Sequence, residues 1–138
     1  MRIMTAFAML AVLGAVLIAP VAARADDTLQ ANIPFEFVAG SVILPPGNYQ
    51  FEASHYGHMV AIWSVDQKTR SLVLANRAYQ STSAHSPARL VFNKYGNRYF
   101  LSEIWGGVQD AGQRLPKTRQ EREASLTARA QPIMVAAR

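Results

Sequence analysis

Residues 90–105 read Leu90-Val91-Phe92-Asn93-Lys94-Tyr95-Gly96-Asn97-Arg98-Tyr99-Phe100-Leu101-Ser102-Glu103-Ile104-Trp105. Two runs rich in aromatic and aliphatic side chains flank Gly96-Asn97, a pair suited to the positive φ angles of a tight turn, so the stretch reads as a β-hairpin. Both of its faces carry apolar groups.

Upstream of the hairpin the pattern stays that of strands. Leu29, Ala31, Ile33, Phe35 and Phe37 alternate with Gln30, Asn32, Pro34 and Glu36, a period of two that demands one buried and one wet face. Pro34 has no backbone N–H for a ladder, which marks an edge strand. Pro45-Pro46-Gly47-Asn48 then punctuates the chain, and Tyr49, Phe51 and Ala53 resume the alternation against Gln50 and Glu52. His55-Tyr56-Gly57-His58 reads as a hairpin tip leading into residues 59–65, which are apolar on both faces as in a central strand. With Tyr56-Gly57 as a two-residue loop, Ala53 opposes Val60 and Phe51 opposes Ile62, giving one coherent core face. The same register sets Met59, Ala61 and Trp63 beside Gln50, Glu52 and Ser54. That apolar stripe needs a cover: a second layer of the fold, the C-terminal segment, a ligand or a partner. Residues 72–79 read as a further strand and 80–88 as a Ser/Thr/Ala loop containing Pro87. The expected fold is all-β, an antiparallel β-sandwich or small barrel of about six to seven strands with a short C-terminal helix.

Downstream, Gly106-Gly107 and Gly112 loosen the chain before Thr118-Arg119-Gln120-Glu121. Thr118 can cap a helix start while Glu121 reaches back to the cap, so a helix is expected from about residue 119 to 130, ended by Pro132. Leu126 is its only large apolar residue, which predicts a peripheral helix. Ile133-Met134-Val135 has no obvious local partner and three open uses: filling the stripe, adding a strand to another chain, or remaining unordered. The expected organisation is a leader over 1–25, a β domain over 26–112, and a helix and tail over 113–138.

The leader follows from the N-terminus. Arg2 is followed by an uncharged apolar run over residues 3–18, Pro20, and Ala23-Arg24-Ala25, the small-x-small pattern read by signal peptidase, which places cleavage before Asp26. The run is shorter than the roughly 20 residues of a spanning helix, so no integral membrane protein is expected after cleavage. The mature chain would have 138 − 25 = 113 residues, enough for one core. Cysteine is absent, which excludes a disulfide framework, a zinc-thiolate site and a thiol nucleophile. No asparagine begins a glycosylation sequon. Together these predict a bacterial protein, secreted or periplasmic.

Charge is unevenly placed. Residues 26–113 carry six basic and seven acidic side chains, a balance of −1, whereas residues 114–138 carry six basic and two acidic, a balance of +4. The basic tail is suited to contact with an anionic surface. Its arginines lack interleaved aromatics, so nucleic acid is not an expected partner.

A resemblance enters with Ile33-Pro34-Phe35-Glu36-Phe37, Leu44-Pro45-Pro46-Gly47-Asn48-Tyr49, Leu90 through Gly96, Tyr99 through Trp105, and Leu115-Pro116-Lys117-Thr118 through Glu121-Arg122-Glu123. In this combination the chain resembles a family of small secreted proteins common in acidobacteria. The resemblance covers nearly all of the mature chain, implies an exported all-β domain, and carries over no catalytic residue. The Leu-Pro-Pro-Gly-x-Tyr turn is also similar to turns of prealbumin-like and Cna-B-like β-sandwich domains.

Candidate chemistry is sparse. His55 and His58, near Glu52 in sequence, are candidate metal ligands for a metal-dependent hydrolase, with His85 as a further histidine. Glu36, Glu52 and Glu103 are the carboxylates for a glycosidase pair, but none has a flanking signature. Gly-x-Ser-x-Gly is absent. Leu115-Pro116-Lys117-Thr118 imitates a sortase signal, yet Arg119 stands where glycine is required. Trp63, Tyr95, Tyr99 and Trp105 are the candidate ligand-binding residues: Tyr95, Tyr99 and Trp105 are able to stack on sugar rings or on a partner's apolar surface if exposed together, and the Trp63 face is the alternative. The sequence therefore predicts a non-enzymatic structural or binding module without a cofactor, working by self-association, with an envelope protein, or with a small ligand or carbohydrate on an aromatic sheet face.

Overall fold

A computed structural model describes residues 28–54, 58–79, 87–106 and 111–138. The chain forms β1 (Thr28–Ile33), β2 (Phe37–Ala39), β3 (Val42–Leu44), β4 (Gly47–Ala53), β5 (Met59–Ser64), β6 (Arg70–Leu74), β7 (Asn76–Tyr79), β8 (Arg89–Tyr95), β9 (Arg98–Trp105), β10 (Ala111–Arg114), α1 (Arg119–Thr127) and β11 (Gln131–Ala136). Two curled sheets result. One has four strands in the order β1-β4-β5-β6, and the other follows β11-β8-β9-β10-β7, with β2 pairing both β9 and β3.

The β8/β9 hairpin forms as its sequence demands, with Tyr95 opposite Arg98. Gly96 has φ 64° and Asn97 is not in the positive region, the pattern of a turn whose first central residue alone must be glycine. The β4/β5 register also agrees with the pattern argument: Phe51 faces Ile62 and Ala53 faces Val60. Its tip, including His55, Tyr56 and Gly57, lies outside the described residues, as do the leader with Ala23 and Ala25, and His85.

The strands outnumber the expectation because two long runs divide and three further strands, β3, β10 and β11, form. Residues 29–37 break at Pro34, and residues 72–79 break at Ala75, where the chain passes from the four-stranded sheet into the other one. Between the sheets lie Ile33, Phe37, Leu44, Tyr49, Phe51, Val60, Ile62, Leu90 and Phe92, all at most 2 % exposed. Phe37 meets Tyr49 and Phe92 edge to face, at 5.2 and 5.5 Å between ring centroids, the preferred arrangement of aromatic quadrupoles.

The C-terminal segment is part of this unit, not an appendage to it. β11 pairs with β8 over its whole length, Gln131 opposite Lys94 through Ala136 opposite Arg89. Beyond it, Gln30 and Arg138 exchange backbone hydrogen bonds of 2.8 and 3.0 Å, which stitches β1 to the end of β11. One side of the molecule is thereby closed by hydrogen bonds and the other by the covalent passage from β6 to β7. The division expected at residue 112 falls inside β10, which pairs with both β9 and β7. Of the open uses of Ile133-Met134-Val135, the chain takes none: the segment is a strand of its own sheet, with Ile133 and Val135 packed on the core.

α1 begins at the expected cap, with Thr118 Oγ1 accepting from the Glu121 amide. The reciprocal half of the capping box does not form. The Glu121 side chain points instead into the protein, and Leu126 is left 85 % exposed. The helix is therefore held to the sheet by Glu121 and Ala124, and not by an apolar stripe.

Candidate functional site

In β5 and β6, side chains alternate between core and solvent. Val60, Ile62 and Val73 point inward and are buried, while the outer face carries Met59, Ala61 and Trp63 on β5 and Leu72 and Leu74 on β6. Met59 is paired with Leu74, and Ala61 with Leu72, so the apolar side chains form a continuous patch. Leu72 is 61 % exposed and Leu74 65 %. Trp63 borders the patch, half-buried, and its indole Nε1 donates to Gln50 Oε1 at 2.7 Å. The second sheet covers the opposite face, and β11 is committed to β8. Among the described residues, two of the four covers open to this stripe are thus in use elsewhere.

Among the described residues, the patch runs to an unpaired backbone edge. β6 is the last strand of its sheet. Ser64 N donates to Thr69 O and Ala75 N to His58 O, so by antiparallel alternation residues 69, 71, 73 and 75 spend their polar groups on β5. Arg70, Leu72 and Leu74 present their N–H and C=O groups outward, on the residues whose side chains form the patch.

The other aromatics singled out in the sequence do not join Trp63. Tyr95 is 3 % exposed and packs with Val38, Phe100 and Ala124. Trp105 is 5 % exposed, packs with Ala78 and Val91, and donates its indole N–H to Glu103 Oε2. Tyr99 is stacked on Phe35 at 3.9 Å between centroids, with the Lys94 ammonium over its ring. A shared exposed platform of Tyr95, Tyr99 and Trp105 is therefore corrected: Tyr95 and Trp105 are buried in separate clusters, and Tyr99 lies half-buried against Phe35.

His58 is exposed, and no group of three potential metal ligands occurs among the described residues. Glu103 is engaged by Trp105 and by Arg114, whose Nη2 lies 3.0 Å from Oε1. Glu36 sits in the connection between β1 and β2, and Glu52 on the outer face of β4. An open cleft of about 330 Å³ lies beside β7 and β10, where Asn76, Arg77, Ser102, Arg114 and Lys117 meet.

One polar site escaped the sequence reading. Glu121 is 4 % exposed, and its Oε1 accepts from Asn93 Nδ2 at 2.9 Å and from the Tyr95 hydroxyl at 3.1 Å. The only sequence signal was a glutamate at a capping position, which usually turns back to the helix. Burial, and secondarily the Glu121 charge, push the Tyr95 phenol above its ordinary pKa. Replacing Glu121 with Ala is expected to cost about 2–3 kcal/mol, because Asn93 and Tyr95 lose the acceptor that satisfies them. The same change should lower the Tyr95 pKa; ultraviolet titration and urea denaturation read the two effects.

Comparison with known proteins finds no matching family model, curated protein or solved structure. No helix among the described residues is long and apolar enough to cross a membrane.

Proposed function

We propose that this chain is a non-enzymatic structural or binding module, exported to the bacterial envelope or its surroundings, that works by docking another surface on the outer face of β5 and β6. The observation that carries this reading is the coincidence of the exposed Leu72 and Leu74 with a strand edge that is unpaired among the described residues. An apolar patch supplies affinity and an open edge supplies directional hydrogen bonds, the combination used in strand addition. The leader pattern and the likeness to small secreted proteins support export.

A hydrophobic fluorescent dye tests the face. The folded protein is expected to bind it saturably with a blue-shifted Trp63 emission, and Leu72→Lys with Leu74→Lys is expected to weaken binding by about tenfold or more, from the loss of two aliphatic contacts. Absence of dye binding by the folded chain would remove the reading. A second contact is favoured by the cleft, which adds Arg77 to the tail cations Arg114 and Lys117 and suits an acidic polysaccharide or anionic lipid surface.

A further inference from the structure

The strand edges of this fold are protected unequally. β1 is tied at its middle, where Gln30 exchanges two backbone hydrogen bonds with Arg138. β3 is only three residues long and runs into Pro45-Pro46, which lack N–H groups. β7 is four residues long and carries Arg77. Short edges, prolines and charges are the usual defences against edge-to-edge pairing. β6 has none of them beyond its first residue: from Ser71 to Ala75 the sequence is Ser-Leu-Val-Leu-Ala, without charge, proline or glycine.

Resting on the docking reading above, we infer that the β6 edge of this face is taken by a second copy of the same chain, through antiparallel β6–β6 pairing centred on Leu72 that sets the two outer faces side by side in one sheet. The register is dictated by the outward groups. Leu72 would exchange backbone hydrogen bonds with its equivalent in the second copy, and Arg70 with that copy's Leu74, so every outward-facing residue meets another and the arrangement is two-fold. The two apolar patches become one: Ala61 and Leu72 continue into the second copy's Leu72 and Ala61, and Arg70 lays its aliphatic stem beside Leu74. Charge permits this register. The two Arg70 residues are separated by four residues along the strand direction, about 14 Å, which exceeds the screening length of about 8 Å at physiological ionic strength. No other charged residue lies within β6.

Sedimentation velocity of the purified protein, over about a hundredfold range of concentration, tests the inference. The expected result is a reversible monomer–dimer equilibrium. Leu72→Lys places like charges directly opposite one another and should weaken association by at least about tenfold. Leu72→Pro should do the same through the backbone, since the N–H it removes faces away from β5 and the variant keeps its own sheet. Far-ultraviolet circular dichroism checks that both variants remain folded. A wild-type chain monomeric at every concentration, or a dimer indifferent to both folded variants, would overturn the inference. The two failures are separable: a monomer that still binds the dye, and loses it on Leu72→Lys, keeps the docking face and excludes only the second copy. A monomer without dye binding loses both.

Discussion

A chain ending at Ala130 is expected to lose about 4–6 kcal/mol of stability, enough to unfold many domains of this size. Three losses add. The ladder between β11 and β8 disappears along its full length, at roughly 0.5–1.5 kcal/mol for each hydrogen bond not replaced equally by water. Ile133 and Val135 leave the core they partly cover, worth about 1 kcal/mol each at half burial. The Gln30–Arg138 stitch goes too, leaving β1 and β8 as new open edges above a hydrophobic interior. Urea denaturation and scattering are the measurements, with aggregation expected alongside the lower midpoint. A truncated chain that melts within a few degrees of the full one would show that the last strand is dispensable.

The second large effect comes from one methyl group. Gly112 lies opposite Trp105, and a β-carbon there would fall on the indole ring, 2.7 Å from Cδ2, and 2.8 Å from the Ile104 carbonyl oxygen. Trp105 is itself buried against Ala78 and Val91, so the ring cannot retreat without disturbing its neighbours. Gly112→Ala is expected to cost about 3 kcal/mol, at the upper end for overpacking, and to lower the melting temperature by roughly 10–20 °C. Gly106→Ala is the matched control, since nothing lies within 4 Å of its added carbon. A Trp105→Leu background should relieve part of the Gly112→Ala cost, as coupled neighbours do. Equal effects at positions 106 and 112 would refute this packing.

How far these features could be read from the chain depends on the range of the interactions that cause them. Alternation and turn chemistry are local, so the β8/β9 hairpin, the β4/β5 register and the Thr118 cap were legible. β10 was not, because Ala-Gly-Gln-Arg has little strand preference and owes its conformation to β9 and β7 on either side. β11 looked like a loose apolar end for the same reason: its partner β8 lies about forty residues earlier in the sequence. The stripe beside Gln50 was visible as a pattern, but its extension onto Leu72 and Leu74, and the unpaired edge beside it, depend on sheet order. Glu121 was misread because local rules send a glutamate at that position back to the cap, whereas Asn93 and Tyr95 from the neighbouring strand offer it two donors.

Amide hydrogen exchange along β6, measured at low and high protein concentration, tests the open edge and the assembly on it most directly. Val73 and Ala75, bonded to β5, should be protected at both concentrations. Leu72 and Leu74, whose amides face the open edge, should exchange quickly when dilute and gain protection as the concentration rises. Fast, concentration-independent exchange at Leu72 and Leu74 would contradict the β6–β6 assembly.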